Sequence, residues 1–221
     1  LRLLYLHPDH FPTPLLDLAA SEPRLLPYFD LPFQHASRAV LSLMGRRGSS
    51  DSYLELVGRI RGRLPQAALR STFLVGFPGE SDEDFGALAE FQKAASLDWL
   101  GVFAYSREEG TRAYDLPGRV PASVAEERKR LLEQAQLPIT EARLEAHVGR
   151  ELEVLVEEEV HGEDRPLALA RSYLQAPEVD GLMVVKGRPG SRGELRPGAR
   201  LRVRVERRAG VDLEACLAAP L

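Results

Sequence analysis

Over roughly the first hundred residues, short apolar runs alternate with stretches whose apolar positions recur at helical spacing. Leu1 to Leu6 reads as a buried strand closed by His7–Pro8, and Leu26–Pro32, Leu69–Val75 and Leu100–Tyr105 read as three more. Helices are predicted over about Thr13 to Ser21, from an N-cap at Ser37 through Leu43, and from a cap at Asp51 to about Arg63. A further helix opens at Ser81 and runs to about Ala95, with Asp82, Glu83 and Asp84 in its first turn, where negative charge suits the helix dipole. Strands alternating with helices predict a parallel α/β sheet. The charged stretch from about Ser123 to Ala146 predicts one long helix that Pro138 should kink or break.

After Gly149 the period changes to two. Leu152, Val154 and Val156 alternate with glutamates, and Leu201, Val203 and Val205 with arginines, with Gly and Pro between the segments. This predicts a small antiparallel β-domain or barrel. The boundary falls at about 147–149, giving an α/β part over 1–147 and a β part over 148–221.

The chain has 221 residues, 44% of them apolar, with a net charge of −4, so a packed core is expected and disorder is not. No apolar run approaches the roughly 20 residues of a membrane helix. The single cysteine, Cys216, cannot form an internal disulfide and cannot alone hold zinc or an iron–sulfur cluster. A reducing, cytoplasmic compartment fits that count, and the Pro-interrupted start does not read as a secretory leader. The chain opens without Met in what reads as a strand, so it is expected to be a piece of a longer protein.

Three polar clusters follow predicted strands. Arg70, Thr72 and Leu74 share one face of the third strand, and an Arg and a Thr are unusual on a strand made for burial. Either Arg70 pairs with a buried carboxylate, or this face lines a ligand site at the strand's carboxyl end, where parallel α/β proteins bind ligands. Gly76-Phe77-Pro78-Gly79-Glu80 follows at once. At the end of the second strand, Tyr28, Asp30, Pro32 and Gln34 share a face, and Gln34, His35 and Ser37 crowd the strand-to-helix corner. There Ser37 is an N-cap or a ligand, and His35 is a structural or a proton-transferring histidine. The fourth strand enters Tyr105-Ser106-Arg107-Glu108-Glu109-Gly110-Thr111. Three such clusters at like ends of strands predict one site.

These segments together resemble the radical S-adenosylmethionine methylthiotransferases. The likeness covers Leu26–Ser37 with Leu41 and Met44, Arg70–Glu80 and Val102–Thr111. It continues through the long helix and the Ala176-Pro177-Glu178-Val179-Asp180-Gly181 turn. Within the family the chain is most similar to the branch that modifies a ribosomal protein. The tRNA-modifying relatives generally carry other residues at Asp30, His35, Thr72 and Glu108-Glu109.

The resemblance implies an open, partial TIM-type barrel, the radical enzyme core, followed by the β-barrel domain called TRAM. It implies S-adenosylmethionine and two 4Fe-4S clusters in the full-length enzyme. The cluster cysteines are expected upstream of Leu1, so this chain itself is expected to hold no cluster and to be inactive alone. By the same resemblance Gln34, Ser37, Arg70, Thr72, Gly76, Phe77 and Tyr105 bind the cofactor. Asp30, His35, Arg70, Glu108 and Glu109 are substrate-binding candidates. The implied acceptor is the β-carbon of an aspartate in small-subunit ribosomal protein twelve.

Charge in the β part is segregated. Nine acidic residues between Glu151 and Asp180, Glu163 and Asp164 among them, face two basic ones, while Lys186 to Arg208 holds nine basic and two acidic. This predicts either cross-strand ion pairs or two docking faces. In the second case Arg202 and Arg204 would contact RNA phosphate or substrate, and the acidic stretch a basic protein. Two alternatives stand beside this reading: a tRNA acceptor, and a stand-alone RNA- or ribosome-binding module.

Overall fold

Each of three short strands is followed by a segment that carries the chain back, so the strands pair in parallel. The computed structural model describes residues 1–160, 165–188 and 192–218, and the chain divides into two units, Leu1–Ile139 and Thr140–Leu221. In the first unit the sheet order is β1 (Tyr28–Asp30), β2 (Ala68–Val75), β3 (Trp99–Ala104). Helices α1 (Pro14–Ser21), α2 (Arg38–Leu43), α3 (Ser50–Arg63), α4 (Asp82–Ala95) and α5 (Ala122–Glu145) accompany it, and α5 runs on into the second unit.

Alternation along β2 sorts its side chains. Leu69, Ser71, Phe73 and Val75 are buried, whereas Arg70, Thr72 and Leu74 are half-buried on the other face. The buried side meets Tyr53, Leu56 and Ile60 of α3, Leu88 and Phe91 of α4, and Leu132 of α5 in one core. Phe33 anchors this core, its ring 4.7 Å from Tyr53 and 5.2 Å from Phe91.

Where β1 leaves its ladder, the register steps from Asp30↔Arg70 to Gln34↔Phe73, one extra residue on the β1 side. Pro32 within that step has no N–H to give. The Ser71 hydroxyl repairs the gap. It accepts from the Phe33 N–H at 3.2 Å and donates to the Leu31 carbonyl at 2.8 Å.

Four sequence expectations are corrected here. Leu1–Leu6 is not a strand: Tyr5 takes a φ of 59°, and the segment meets β1 through an isolated bridge, Leu3↔Phe29, and a hydrogen bond from the Leu6 N–H to the Asp30 carbonyl at 2.9 Å. β1 is shorter than Leu26–Pro32 because its span lies between Pro27 and Pro32. The α3 cap is Ser49, which shares a capping box with Ser52, and not Asp51. Pro138 does not break α5. Hydrogen bonds from other elements hold the turns before it: Gln92 Nε2 donates to the Leu132 carbonyl at 2.9 Å, and Gln136 Nε2 to that of Leu97 at 2.9 Å.

The second unit is a closed barrel of β4 (Glu151–Val160), β5 (Leu167–Arg171), β6 (Met183–Lys186), β7 (Arg200–Ala209) and β8 (Asp212–Leu217), ordered β4-β5-β6-β8-β7. Its interior is small and aliphatic, with Val154, Val156, Ala168, Met183, Val203 and Leu213 buried. The pairs are antiparallel as expected, except that β6 and β8 run parallel. The last turns of α5 belong to this unit, where Arg208 pairs with Glu141 at 3.1 Å and Glu145 at 3.4 Å. The fold class is thus an α/β unit with a parallel sheet followed by a small β-barrel. No helix among the described residues is long and apolar enough to cross a membrane.

Ser71→Ala should leave the Phe33 N–H and the Leu31 carbonyl buried without their partner. The expected loss is about 2–4 kcal/mol of stability in the first unit, read as a shift of its urea unfolding midpoint. A loss below about 0.5 kcal/mol would show that the hydroxyl bridge is not made.

Candidate active site

The face of the sheet opposite the core carries the polar residues. Asp30, Arg70 and Thr72 lie on adjacent strands, with Arg70 Nε 4.0 Å from Asp30 Oδ1. Asp30 Oδ2 also accepts from the Tyr5 N–H at 3.2 Å. Gly101 is the neighbour of Thr72 on β3, and a Cβ there would come within 3.6 Å of Arg70 Nη2 and 3.9 Å of Thr72 Oγ1. The missing side chain leaves room beside both polar groups. Phe103, two residues on, is 57% exposed.

At the carboxyl end of β2 the chain turns through Gly76-Phe77-Pro78-Gly79. Gly76 has a φ of 74°, and a Cβ on it would sit 2.3 Å from the Cβ of Ala125 on α5, so only glycine fits. Both the Gly76 and Phe77 N–H donate to Glu80 Oε2, at 2.5 and 3.1 Å. Arg128 of α5 closes the arrangement, 2.9 Å from Glu80 Oε1 and 2.6 Å from Asp82 Oδ1, with its guanidinium over the Phe85 ring. Burial pushes the Glu80 carboxyl up, against the pull of Arg128 and the two N–H groups.

Two cavities adjoin this turn. One of about 360 Å³ is lined by Gly76, Pro78, Tyr105, Arg107, Tyr114 and Arg119, among others. The other, of about 280 Å³, is lined by Gln34, Met44, Arg46, Leu74, Phe77 and Arg112 and shares Ala113 with the first. The Phe77 and Tyr105 rings meet edge to face at 5.2 Å. The Tyr105 hydroxyl is buried with no hydrogen-bond partner among the described residues. Arg107 stacks on Tyr114 at 3.5 Å.

The structure therefore brings Asp30, Arg70 and Thr72 to one sheet face, where Asp30 is buried and Arg70 half-buried, and Gln34, Gly76, Phe77 and Tyr105 to the walls of the two cavities. Glu108, which accepts from the Ser106 hydroxyl at 2.7 Å, and Glu109 are exposed in the loop beyond Tyr105. Ser37 faces away from the cavities: it caps α2 through the Val40 N–H and bonds to Asp84. His35 is fully buried beside it, its Nδ1 accepting from the Ser37 N–H at 2.9 Å and its Nε2 without a partner among the described residues. Sequence inspection missed Ser71, Gly101 and the Glu80–Arg128 pair. The Glu80–Arg128 pair spans 48 residues, a separation that local spacing does not reveal.

In the barrel the segregated charges answer each other across strands. Arg202 pairs with Glu151 at 3.5 Å, Arg171 with Glu157 at 2.5 Å, and Lys186 with Glu214 at 2.7 Å. Arg200 pairs with Glu153 and Arg207 with Glu214. Arg204 is exposed and has no ion pair with a described residue. Glu163, Asp164 and the Arg192 side chain lie outside the described residues.

Burial holds the His35 imidazole down to about 4, with Asp84 opposing and Arg128 assisting. Between the ordinary pKa of 6.5 and about 4, the unfolded chain takes up a proton that the folded chain refuses, so stability falls as pH falls. His35→Asn keeps an acceptor for the Ser37 N–H and cannot titrate. Relative to this variant, the natural chain should lose about 3 kcal/mol between pH 7 and 4 in urea titrations. A constant difference across that range would place the ring in contact with water.

The TRAM domain family matches residues 148–217. The ribosomal protein uS12 methylthiotransferase RimO of Treponema denticola is 42% identical over 97% of this chain and 49% of its own length. The protein of the same name from Moorella thermoacetica is 46% identical over 88% of the chain and 43% of its own length. The chain spans about half the length of the curated relatives it matches. Among solved structures, coproporphyrinogen III oxidase (HemN) from Escherichia coli, a radical SAM enzyme, aligns with a TM-score of 0.48 and 16% identity over 64% of this chain and 32% of its own, too little to carry an argument. With 42% and 46% identity across most of its residues and a TRAM domain over 148–217, the chain belongs to the RimO methylthiotransferase family, as its carboxyl-terminal part.

Proposed function

We propose that the chain serves in a cytoplasmic radical S-adenosylmethionine enzyme that adds a methylthio group to the β-carbon of an aspartate in small-subunit ribosomal protein twelve. The observation that carries this reading is the juxtaposition of Asp30, Arg70 and Thr72 on the sheet face opposite the core, beside Gly101. S-adenosylmethionine and two 4Fe-4S clusters are the cofactors of the whole enzyme in this reading. When bound they supply the radical that takes hydrogen from an unactivated C–H bond and the sulfur that replaces it.

The residues present fit the nucleoside part of that cofactor. A buried, partnerless Tyr105 hydroxyl and a cavity of about 360 Å³ offer a polar contact and room for a planar group. Gly76 and Tyr105 line this cavity, Gln34 and Phe77 line the adjoining one of about 280 Å³, and Thr72 lies on the sheet face beside Arg70. Ser37 acts behind the cavities by capping α2, and His35 by holding the Ser37 N–H. The 4.0 Å spacing between Arg70 and Asp30 suits a guanidinium that a substrate carboxylate engages as a fork. The exposed Glu108 and Glu109 suit the basic surface of a ribosomal protein.

In the same reading residues 148–221 form the terminal domain that helps dock the substrate. Five of its arginines, Arg171, Arg200, Arg202, Arg207 and Arg208, are spent on glutamates, which favours a protein contact through mixed charge over a strong phosphate grip. Arg165, Arg196 and Arg204 make no ion pair with a described residue.

Arg70→Ala in the whole enzyme tests the substrate role. Cleavage of S-adenosylmethionine without substrate should stay near the natural rate, while methylthiolation of the ribosomal protein falls roughly ten- to a hundredfold from lost charge-assisted hydrogen bonds. Equal loss of both activities would move Arg70 to the cofactor. Unchanged methylthiolation would sink the assignment.

A further inference from the structure

We propose that the outer edge of β3 is a docking strand for the substrate protein. An extended segment of small-subunit ribosomal protein twelve adds there as a fourth strand beside β1-β2-β3, with the reactive aspartate opposite Gly101. This names how the substrate of the function proposed above is held, and it rests on that reading.

The two edges of the sheet differ. The β1 edge is covered by the Leu1–Leu6 segment, through the Leu3↔Phe29 bridge and the Leu6 N–H on the Asp30 carbonyl. β3 has β2 on one side and no described strand on the other. Its pairing with β2 runs unbroken from Trp99 to Ala104, and the Tyr105 N–H continues it to the Val75 carbonyl at 2.8 Å. In that phase Gly101 and Phe103 turn their N–H and C=O groups to β2, while Leu100, Val102 and Ala104 turn theirs outward. The outward groups bond to no described residue. Soluble proteins ordinarily blunt such an edge with a charge, a proline or a bulge. Trp99-Leu100-Gly101-Val102-Phe103-Ala104 carries none of the three. A regular, uncharged edge with unpaired main-chain groups is what an added strand binds.

The side chains on the site face select the strand that fits. Trp99, Gly101 and Phe103 share the face of Arg70 and Thr72. Gly101 stands between Thr72 and the edge, and lacking a side chain it leaves a lane across β3. A Cβ there would be 3.6 Å from Arg70 Nη2. A side chain opposite Gly101 on an added strand, about 4.8 Å further out, points along that lane toward the guanidinium. A carboxylate suits this end through charge-assisted hydrogen bonds. Phe103, 57% exposed on the same face, covers an apolar residue two places from the aspartate. A second copy of this chain pairing β3 to β3 would bring only apolar side chains to the lane.

The test is amide hydrogen exchange in the whole enzyme, alone and with the ribosomal protein, together with methylthiolation of synthetic peptides that carry the aspartate. In the free enzyme the Leu100, Val102 and Ala104 amides should exchange at least about tenfold faster than those of Gly101 and Phe103, and the ribosomal protein should slow them by a similar factor. Backbone N-methylation along the peptide should lower kcat/KM roughly tenfold at alternate residues and little at those between, because only every second N–H faces β3. Gly101→Val, which fills the lane, should raise KM for the ribosomal protein severalfold. Gly101→Ala, whose Cβ meets only ordinary contacts, should raise it less and covers the case in which the valine variant does not fold. Where no peptide is turned over, exchange with the intact ribosomal protein decides. Outward amides already protected in the free enzyme would mean that another segment or a second copy holds this edge, and would overturn the proposal. Methylthiolation without added protection there, or an N-methyl scan without alternation, would overturn it while leaving the substrate reading in place. No methylthiolation of the ribosomal protein at all would overturn the substrate reading itself.

Discussion

A buried ion pair organises the functional end of the first unit. Glu80 and Arg128 side chains are 0% and 7% exposed, so each charge depends on the other. Replacing one partner alone would leave a buried charge uncompensated, a change that typically costs about 3–5 kcal/mol. The pair does more than balance charge. One carboxylate oxygen holds two backbone N–H groups, and the guanidinium reaches on to Asp82 at the start of α4. Strand β2, helix α4 and helix α5 are thereby fixed to a single turn, and both cavities are built against it. Glycine at 76 is the steric counterpart, because α5 comes so close that a methyl group would strike Ala125.

The barrel shows the opposite use of charge. Its glutamates and arginines stand on neighbouring strands, where exposed pairs contribute little stability each and are screened by salt. Their effect is to fix register and to spend the positive charge that a phosphate backbone would otherwise attract. A sequence in which basic residues crowd one stretch thus produces a surface of mixed sign, because β7 lies between the acid-rich β4 and β8.

The corner after β1 shows how a polar cluster divides once folded. Ser71 and His35 look into the core and satisfy backbone groups, whereas Asp30, Arg70 and Thr72 lie on the opposite face of the sheet. Asp30 ends β1 and His35 follows it, while Arg70, Ser71 and Thr72 lie in the middle of β2. Parity along β2 separates Ser71 from Arg70 and Thr72, and that much was legible. His35 was not, because the extra residue after Asp30 resets the parity, and Gln34 takes a φ of 68°.

Local patterning decided the element order by itself. Period two and period 3.6 distinguish strand from helix wherever one face must meet a core, and Ser37 and Ser81 marked helix starts through their own hydroxyls. The same residues carried the family resemblance, and with it the expected cofactor and acceptor. Tertiary structure alone decided that Leu1–Leu6 makes one bridge and not a strand, that Pro138 stays inside α5, and that Arg128 closes on Glu80. Each of these turns on a partner far along the chain: β1, the Gln92 and Gln136 amides, and a turn 48 residues away. Hydrogen bonds and buried charges have short range in space and no fixed range in sequence, so their pairing exists only once the fold has brought the partners together.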